Sequence, residues 1–306
     1  MAMGPVFVDG ASIAASLPMR EAVEAIRQAF ANRDDVTPPR TRLFSRLGEL
    51  LVMPAMAGDA AGVKLVTIPT RAPGRTLIGG LYVLFDRGLR PRALIDAAAL
   101  TSLRTAAVSA LATDLLARPD ACRLVLFGAG VQAAAHVDGM LAVRPVREVT
   151  VVGRGGERQR RLVDDLRHRG VAADVGTPSA VAESDLICTC TTSREPVFDG
   201  RLLAAGSHVN AVGSYTPEAR ELDDATVQRC RLVVEDREAV LAEAGDLIIP
   251  IRDGLFSDDR ICADLGELVR GATARRSHEE ITVFKSVGLA MEDLAVANAL
   301  AARALS

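Results

Sequence analysis

Three basic side chains stand where water is scarce. Lys64 lies inside the strand-like run GVKLVTI, Arg104 interrupts the apolar stretch LTSLRTAAVSALATDLLARPD, and Arg40 follows Pro38-Pro39 in PPRTRLF. A cation among apolar neighbours needs an anionic partner or a route to solvent. Two partners are open. One is a protein carboxylate such as Asp96 or Asp114, making a structural ion pair. The other is the carboxylate of a bound small acid, which Arg grips with paired hydrogen bonds. A second constellation is the turn Gly128-Ala129-Gly130-Val131-Gln132-Ala133, placed between the apolar run LVLF and a stretch of helical texture. It fits the G-x-G-x-x-G/A pattern of a dinucleotide cradle. Gly128 permits a sharp bend, Gly130 lets backbone approach a pyrophosphate, and Ala133 lets helix and strand pack closely.

The end of the next strand bears on which dinucleotide is held. An acid there accepts from a ribose 2′-hydroxyl, as in NAD enzymes. This chain reads VVGRGGER, with Gly153 and Arg154 at that place and Arg158 close behind. A guanidinium grips a 2′-phosphate that a carboxylate would repel. The expectation is NADPH, with NADH as the weaker cofactor.

The elements that must position these residues fall into two textures. From the start to about residue 116 come a helix with Val23, Ile26 and Phe30 at helical spacing, then the short runs ELLVMPAM, AGVKLVTIPT, GGLYVLFD and RALIDAAAL, separated by Gly, Pro and Asp and read as strands, then the helix carrying Arg104. From Arg123, strand-like and helix-like stretches alternate: RLVLFG, EVTVVGR, VAADV, DLICTCTT, HVNAVGS and RLVVED, with PSAVAESD among the helical pieces. That alternation marks a parallel, doubly wound sheet. ITVFKSVGLAMEDLAVANALAARAL closes the sequence as a strand and a long helix.

Composition narrows the class. The 306 residues carry a net charge of -3, no Trp and two Tyr, which favours neither nucleic acid nor an anionic membrane surface. The longest apolar region is broken by Arg104 and Asp114, and the first residues lack a signal-peptide pattern. Cys122, Cys188, Cys190, Cys230 and Cys262 are scattered, with no second pair at ligand spacing. They read as buried reduced thiols of a cytoplasmic protein rather than as a metal site. His136 and His208 read as structural, one within the cofactor helix and the other at a strand start.

The stretches GVKLVT, LRTAAVSALAT, GAGVQA, HVNAVGSYTPEARELDD, EAGDL, DLGELV and TVFKSVGLAMEDLAVA stand in this order. In that combination the sequence resembles the ornithine cyclodeaminase/mu-crystallin family over essentially its whole length. The resemblance implies a homodimer and an α/β fold: a Rossmann-type doubly wound parallel sheet (117–281) inserted into a mixed α+β substrate-binding and dimerisation domain (1–116 plus 282–306). It implies that Arg40, Lys64 and Arg104 form the substrate-carboxylate cluster, with Asp293 near the floor of the site or serving as a first-turn helix charge. Family cofactor contacts map onto Arg104, Gly128, Gly130, Val131, Gln132, Arg154, Thr191, Thr192, Ala211, Val212, Gly213, Ser286, Val287 and Gly288.

Departures from the family pattern decide the activity. Cyclodeaminases carry an Asp in NAVGGD; here NAVGSY places Tyr215 there. They also carry a Glu where this sequence has Leu51. Removing an amine needs a group that handles its proton, so cyclodeamination loses its acid pair. What remains is reduction of a cyclic ketimine carboxylate, Δ1-pyrroline-2-carboxylate or Δ1-piperideine-2-carboxylate, to proline or pipecolate. Lys64 is the catalytic cation, and Tyr215 reads as a ring lining the substrate pocket or a hydrogen-bond donor to it. Leu77 and Gly79 replace polar residues of relatives near the nicotinamide, with Thr76 as the nearby hydroxyl to compensate. The alternatives are an amino-acid dehydrogenase, which needs ammonia or an amine with an oxoacid, an ornithine or lysine cyclodeaminase of the same family, and a non-catalytic NADP(H)-dependent small-molecule binder.

Overall fold

The computed structural model describes residues 4–32, 35–70 and 79–304. The chain forms two compact units, one of residues 1–108 with 288–306 and the other of residues 109–287. Thr76 and Leu77 lie outside the described residues.

The first unit is a mixed sheet with helices. Its strands are β1 (Val6–Val8), β2 (Asp35–Val36), β3 (Thr41–Ser45), β4 (Gly48–Ala57), β5 (Ala60–Pro69), β6 (Gly79–Phe85) and β7 (Pro91–Asp96). They lie in the order β1-β7-β6-β5-β4-β2, with β3 also on β4. The pairs from β4 through β7 are antiparallel and β1 joins β7 in parallel. Alternation sends Leu51, Met53, Ala55, Lys64, Val66, Tyr82, Leu84, Ala93 and Ile95 to the buried face. The helices of the unit are α1 (Gly10–Ser16), α2 (Met19–Ala31), the first part of α3 (Ala97–Leu116) and the last helix, α10 (Ala290–Ala304). In α2 the spacing read from the sequence holds, with Ala22, Val23, Ile26 and Phe30 buried. The run RALIDAAAL is not all strand. Asp96 accepts from the N–H groups of Ala98 and Ala99 at 2.9 and 3.0 Å and so starts α3.

The second unit is a parallel sheet of eight strands: β8 (Arg123–Phe127), β9 (Glu148–Val152), β10 (Ala172–Val175), β11 (Leu186–Thr189), β12 (His208–Ala211), β13 (Arg231–Val234), β14 (Ile261–Asp264) and β15 (Thr282–Lys285). Their order is β10-β9-β8-β11-β12-β15-β13-β14. Every pair is parallel. Between strands run α4 (Val131–Val143), α5 (Glu157–His168), α6 (Asp224–Arg229), α7 (Arg237–Glu243), α8 (Gly245–Arg252) and α9 (Leu265–Val269). The stretch PSAVAESD is a 3-10 turn over Pro178–Glu183 rather than a full α-helix. The α/β class and the doubly wound parallel sheet are as the alternation implies.

The strand core explains the histidines. His136 Nε2 meets the Ser109 hydroxyl at 3.0 Å, and His208 meets Thr282 at 2.9 Å and Asn210 at 3.3 Å. Burial pulls His136 down to about 4 and His208 down to about 3, so both are neutral, hydrogen-bonded core groups. All five cysteines are free thiols, but only Cys188 is buried; the others are half-buried. No helix among the described residues is long and apolar enough to cross a membrane.

Candidate active site

Lys64 sits mid-strand in β5, on the face that turns inward. Its cross-strand neighbours are Met53 on β4 and Tyr82 on β6. Only 3% of it is exposed, yet its ammonium is not stranded. Nζ lies 2.7 Å from Asp293 Oδ2 and 3.4 Å from Thr101 Oγ1. An ammonium has three donors, and among the described residues these are its two polar partners. Arg104 on α3 is equally enclosed. Its Nη1 donates to Glu292 Oε2 at 2.8 Å, and its Nε lies 3.3 Å from Asp293 Oδ1.

The ion-pair partners are therefore not Asp96 or Asp114. Asp96 caps α3, and Asp114 pairs with Arg144. The acids that matter are consecutive residues in the first turn of α10, where negative charge also complements the helix dipole. Asp293 is the first-turn charge expected of it, and it pairs with both Lys64 and Arg104. Glu292 was missed, although its signal was present: two adjacent acids in an otherwise apolar helix start.

Gly288 draws the third cation in. Arg40 Nη2 donates to the Gly288 carbonyl at 2.6 Å. Gly288 has φ +84, and a Cβ there would come within 2.5 Å of Arg104 Nη1. A side chain at this position would strain the backbone and displace a guanidinium, so glycine is required. Arg40 and Arg104 both reach Gly288, and Arg104 and Lys64 share Asp293, so the three cations form one cluster. That suits a single small anion.

The walls around Lys64 are apolar. Leu51, Val66 and Ala97 pack together with Ile68 against them. The place where cyclodeaminases carry Glu is thus filled by hydrocarbon. Tyr82 is fully buried, and a Cβ on Gly62 would overlap its hydroxyl, so Gly62 makes room for the ring. Burial, with Asp293 adding, holds the phenol well above its usual value, so it stays protonated. The β6 register, unreadable without the fold, sets Tyr82 beside Lys64.

The second unit carries the dinucleotide features. β8 runs into Gly128, whose φ is +109, and Gly130 caps α4 without a side-chain bond. A Cβ at Gly128 would meet the Cys190 carbonyl at 2.7 Å, whereas one at Gly130 would meet nothing within 4 Å. Space over Gly130 and the uncapped start of α4 form an anion cradle. Gln132 Oε1 is buried without a hydrogen bond among the described residues, an acceptor left for a bound group. Val131 is exposed beside it. These residues fit a dinucleotide. At the end of β9, Arg154 and Arg158 are exposed, while Glu157, the first carboxylate beyond the strand, pairs with Arg161.

The loops after β11 and β12 hold Thr191, Thr192, Val212 and Gly213. Tyr215 packs against the core of this unit. Buried charges the sequence reading did not single out lie below these loops. Lys285 Nζ lies 2.8 Å from Asp246 and donates to the Ser214 carbonyl at 2.6 Å. Glu235 accepts from the Ser286 hydroxyl at 2.5 Å and the Val287 N–H at 3.2 Å.

The ornithine cyclodeaminase/mu-crystallin family model matches residues 4–306. The chain belongs to that family. It is 38% identical over 303 residues to a Delta(1)-pyrroline-2-carboxylate reductase of Bacillus cereus, covering 94% of this chain and 93% of the relative. Among solved structures it is similar to Thermococcus litoralis Delta(1)-pyrroline-2-carboxylate reductase in complex with NADH and L-proline. That match has 32% identity and TM-score 0.93, and covers 98% of this chain and 97% of the other. An archaeal alanine dehydrogenase dimer with bound NAD is 29% identical, with TM-score 0.92 and coverage of 99% and 97%.

Burial pulls the Lys64 ammonium down to about 8, Asp293 opposing and Arg104 and Arg40 adding. The folded value lies below the free one, so between the two the unfolded chain holds a proton that the native chain lacks. Folding stability from this group therefore rises with pH across that window, while the cation is lost. Affinity for a small carboxylate, read by calorimetry with pyrrole-2-carboxylate, is expected to fall as pH rises through about 8. Lys64→Arg is expected to flatten that decline. A wild-type profile flat to about pH 10 contradicts the assignment.

Proposed function

We propose that this protein reduces a cyclic ketimine carboxylate, Δ1-pyrroline-2-carboxylate or Δ1-piperideine-2-carboxylate, to proline or pipecolate with NADPH. The observation that carries the reading is the clustering of Lys64, Arg104 and Arg40 about Asp293, Glu292 and Gly288, with an apolar cluster on the same sheet face. Its family membership and its likeness to pyrroline-2-carboxylate reductases support the same chemistry.

The first unit takes the substrate. Arg104 and Arg40 grip the carboxylate and Lys64 completes the clasp, which fixes the imine carbon and lowers the barrier by orientation. Lys64, hydrogen-bonded to Asp293, is also the group able to share a proton with the imine nitrogen. The second unit takes the cofactor through Gly128, Gly130, Val131, Gln132, Thr191, Thr192, Val212, Gly213 and Val287. A bound nicotinamide cofactor supplies the hydride. Arg154 sets the preference for NADPH, because Gly153 and Arg154 stand where a carboxylate would repel a 2′-phosphate. With Leu51 in the apolar cluster and Tyr215 in place of an acid, cyclodeamination has no holder for the leaving amine.

Mixing the protein with NADPH and either imine is expected to consume NADPH. Lys64→Ala is expected to keep cofactor affinity and lose about 10²-fold in kcat/KM. Arg154→Ala is expected to cost about tenfold with NADPH and little with NADH. Turnover that appears only with an oxoacid and ammonia, or none by well-folded protein, contradicts the reading. A wild type that prefers NADH contradicts the role of Arg154.

The protein is also proposed to be a homodimer. The sheet face opposite Lys64 carries cross-strand rows, Val52–Leu65–Leu81 and Pro54–Val63–Val83–Leu94–Phe7, all half-buried or exposed. An apolar face this broad is a surface that a second copy covers, and a similar alanine dehydrogenase is a dimer. Light scattering is expected to give twice the chain mass, and Leu81→Lys to give one. A wild-type monomer contradicts the proposal.

A further inference from the structure

Several sequence motifs have no part in the reaction above: Glu221 of ARELDD, Asp246 of EAGDL and Lys285 of TVFKSVG. All three are fully buried in the second unit. Glu221 is saturated with donors. Its Oε1 accepts from the main-chain N–H and the hydroxyl of Thr191, both at 2.7 Å. Its Oε2 accepts from the Gly213 N–H and the Thr189 hydroxyl, again at 2.7 Å. Asp246 in turn accepts from the main-chain N–H groups of Glu221 and Leu222 at 2.7 and 2.8 Å, and Lys285 pairs with Asp246. The carboxylate is thus fixed from behind, with Oε1 on the loop after β11 and Oε2 bridging the last residue of β11 and the loop after β12.

Those ends belong to neighbouring parallel strands, β11 and β12. A Cβ on Gly213 would fall 2.5 Å from Glu221 Oε1 and would overlap the Thr191 carbonyl, so the two loops touch through the carboxylate. Sheet order gives the clasp its meaning. β9 and β10 lie on one side of β8 and β11 and β12 on the other, so the winding reverses at β8. A dinucleotide crosses the carboxyl ends of the strands at such a reversal. The adenosine half lies toward the end of the second strand, and the nicotinamide half lies toward the opposite strands.

We infer that Glu221 is a positioning residue for the nicotinamide half of the cofactor, holding the Thr191 and Gly213 loops at one fixed separation. It touches no reacting atom. The inference rests on the reading that this unit takes a nicotinamide dinucleotide. Glu221→Gln tests it with little change in volume. The amide has one oxygen and one nitrogen, so whichever way it turns, a main-chain N–H of Thr191 or Gly213 meets a donor.

Calorimetry on the full chain with NADP⁺ and, separately, with its adenine half (2′-phospho-ADP) reads the effect. Glu221→Gln is expected to weaken NADP⁺ by about tenfold and to leave the adenine half within about twofold. Thr189→Val removes one of the four donors without touching the residues assigned to the cofactor, and serves if Glu221→Gln does not fold. It is expected to show the same split at about threefold. Equal loss of both ligands makes Glu221 general scaffolding and overturns the inference, as does unchanged NADP⁺ affinity. A wild type that binds no dinucleotide overturns the cofactor reading and the inference with it.

Discussion

Placing Lys64 and Arg104 in a nearly dry interior imposes a demand that the rest of the first unit answers. An isolated buried cation is costly enough that it would surrender its charge or unfold its surroundings. Glu292 and Asp293 prevent this, and Glu292 lies 188 residues from its Arg104 partner. The first unit therefore needs both ends of the sequence, with the parallel-sheet unit inserted between them. Glycine at 288 answers the same demand, because Arg40 donates to its carbonyl and the Arg104 guanidinium fills the space a Cβ would take.

The second unit uses buried charge in the opposite sense. There the carboxylates Glu221, Asp246 and Glu235 collect main-chain N–H groups and hydroxyls, and Lys285 is the buried cation among them. Ion pairs of this kind contribute little net stability against well-packed hydrocarbon. What they give is a defined arrangement of irregular backbone, and the loops they arrange come directly after strands of the parallel sheet. Both units thus use buried ionic groups to fix geometry at one place, while Val, Leu, Ile and Ala supply the cohesion.

Much of this was legible in the residues alone. Gly128-x-Gly130 after an apolar run and before a helix marked the start of the parallel sheet, because the turn has strict steric needs. Lys64, Arg104 and Arg40 announced themselves by chemistry out of place among apolar neighbours. Their partners did not, since an ion pair between residues 64 and 293 leaves no local trace, and acids nearer in sequence, Asp96 and Asp114, proved to cap a helix and to bind Arg144. The strand reading of RALIDAAAL failed for a related reason: Asp96 ends β7 by capping α3, and alanines fit either state. Glu221 and Tyr82 stayed invisible because their roles depend on register between strands, which periodicity along one strand does not contain.

A crystal structure of the protein with NADPH and pyrrole-2-carboxylate, a planar mimic of the imine, bears on the central claim most directly. The account predicts the carboxylate of the mimic on Lys64, Arg104 and Arg40 while Glu292 and Asp293 keep their pairs. A mimic bound elsewhere, or a Lys64 and Arg104 satisfied wholly by the two acids with no ligand oxygen in reach, would contradict it.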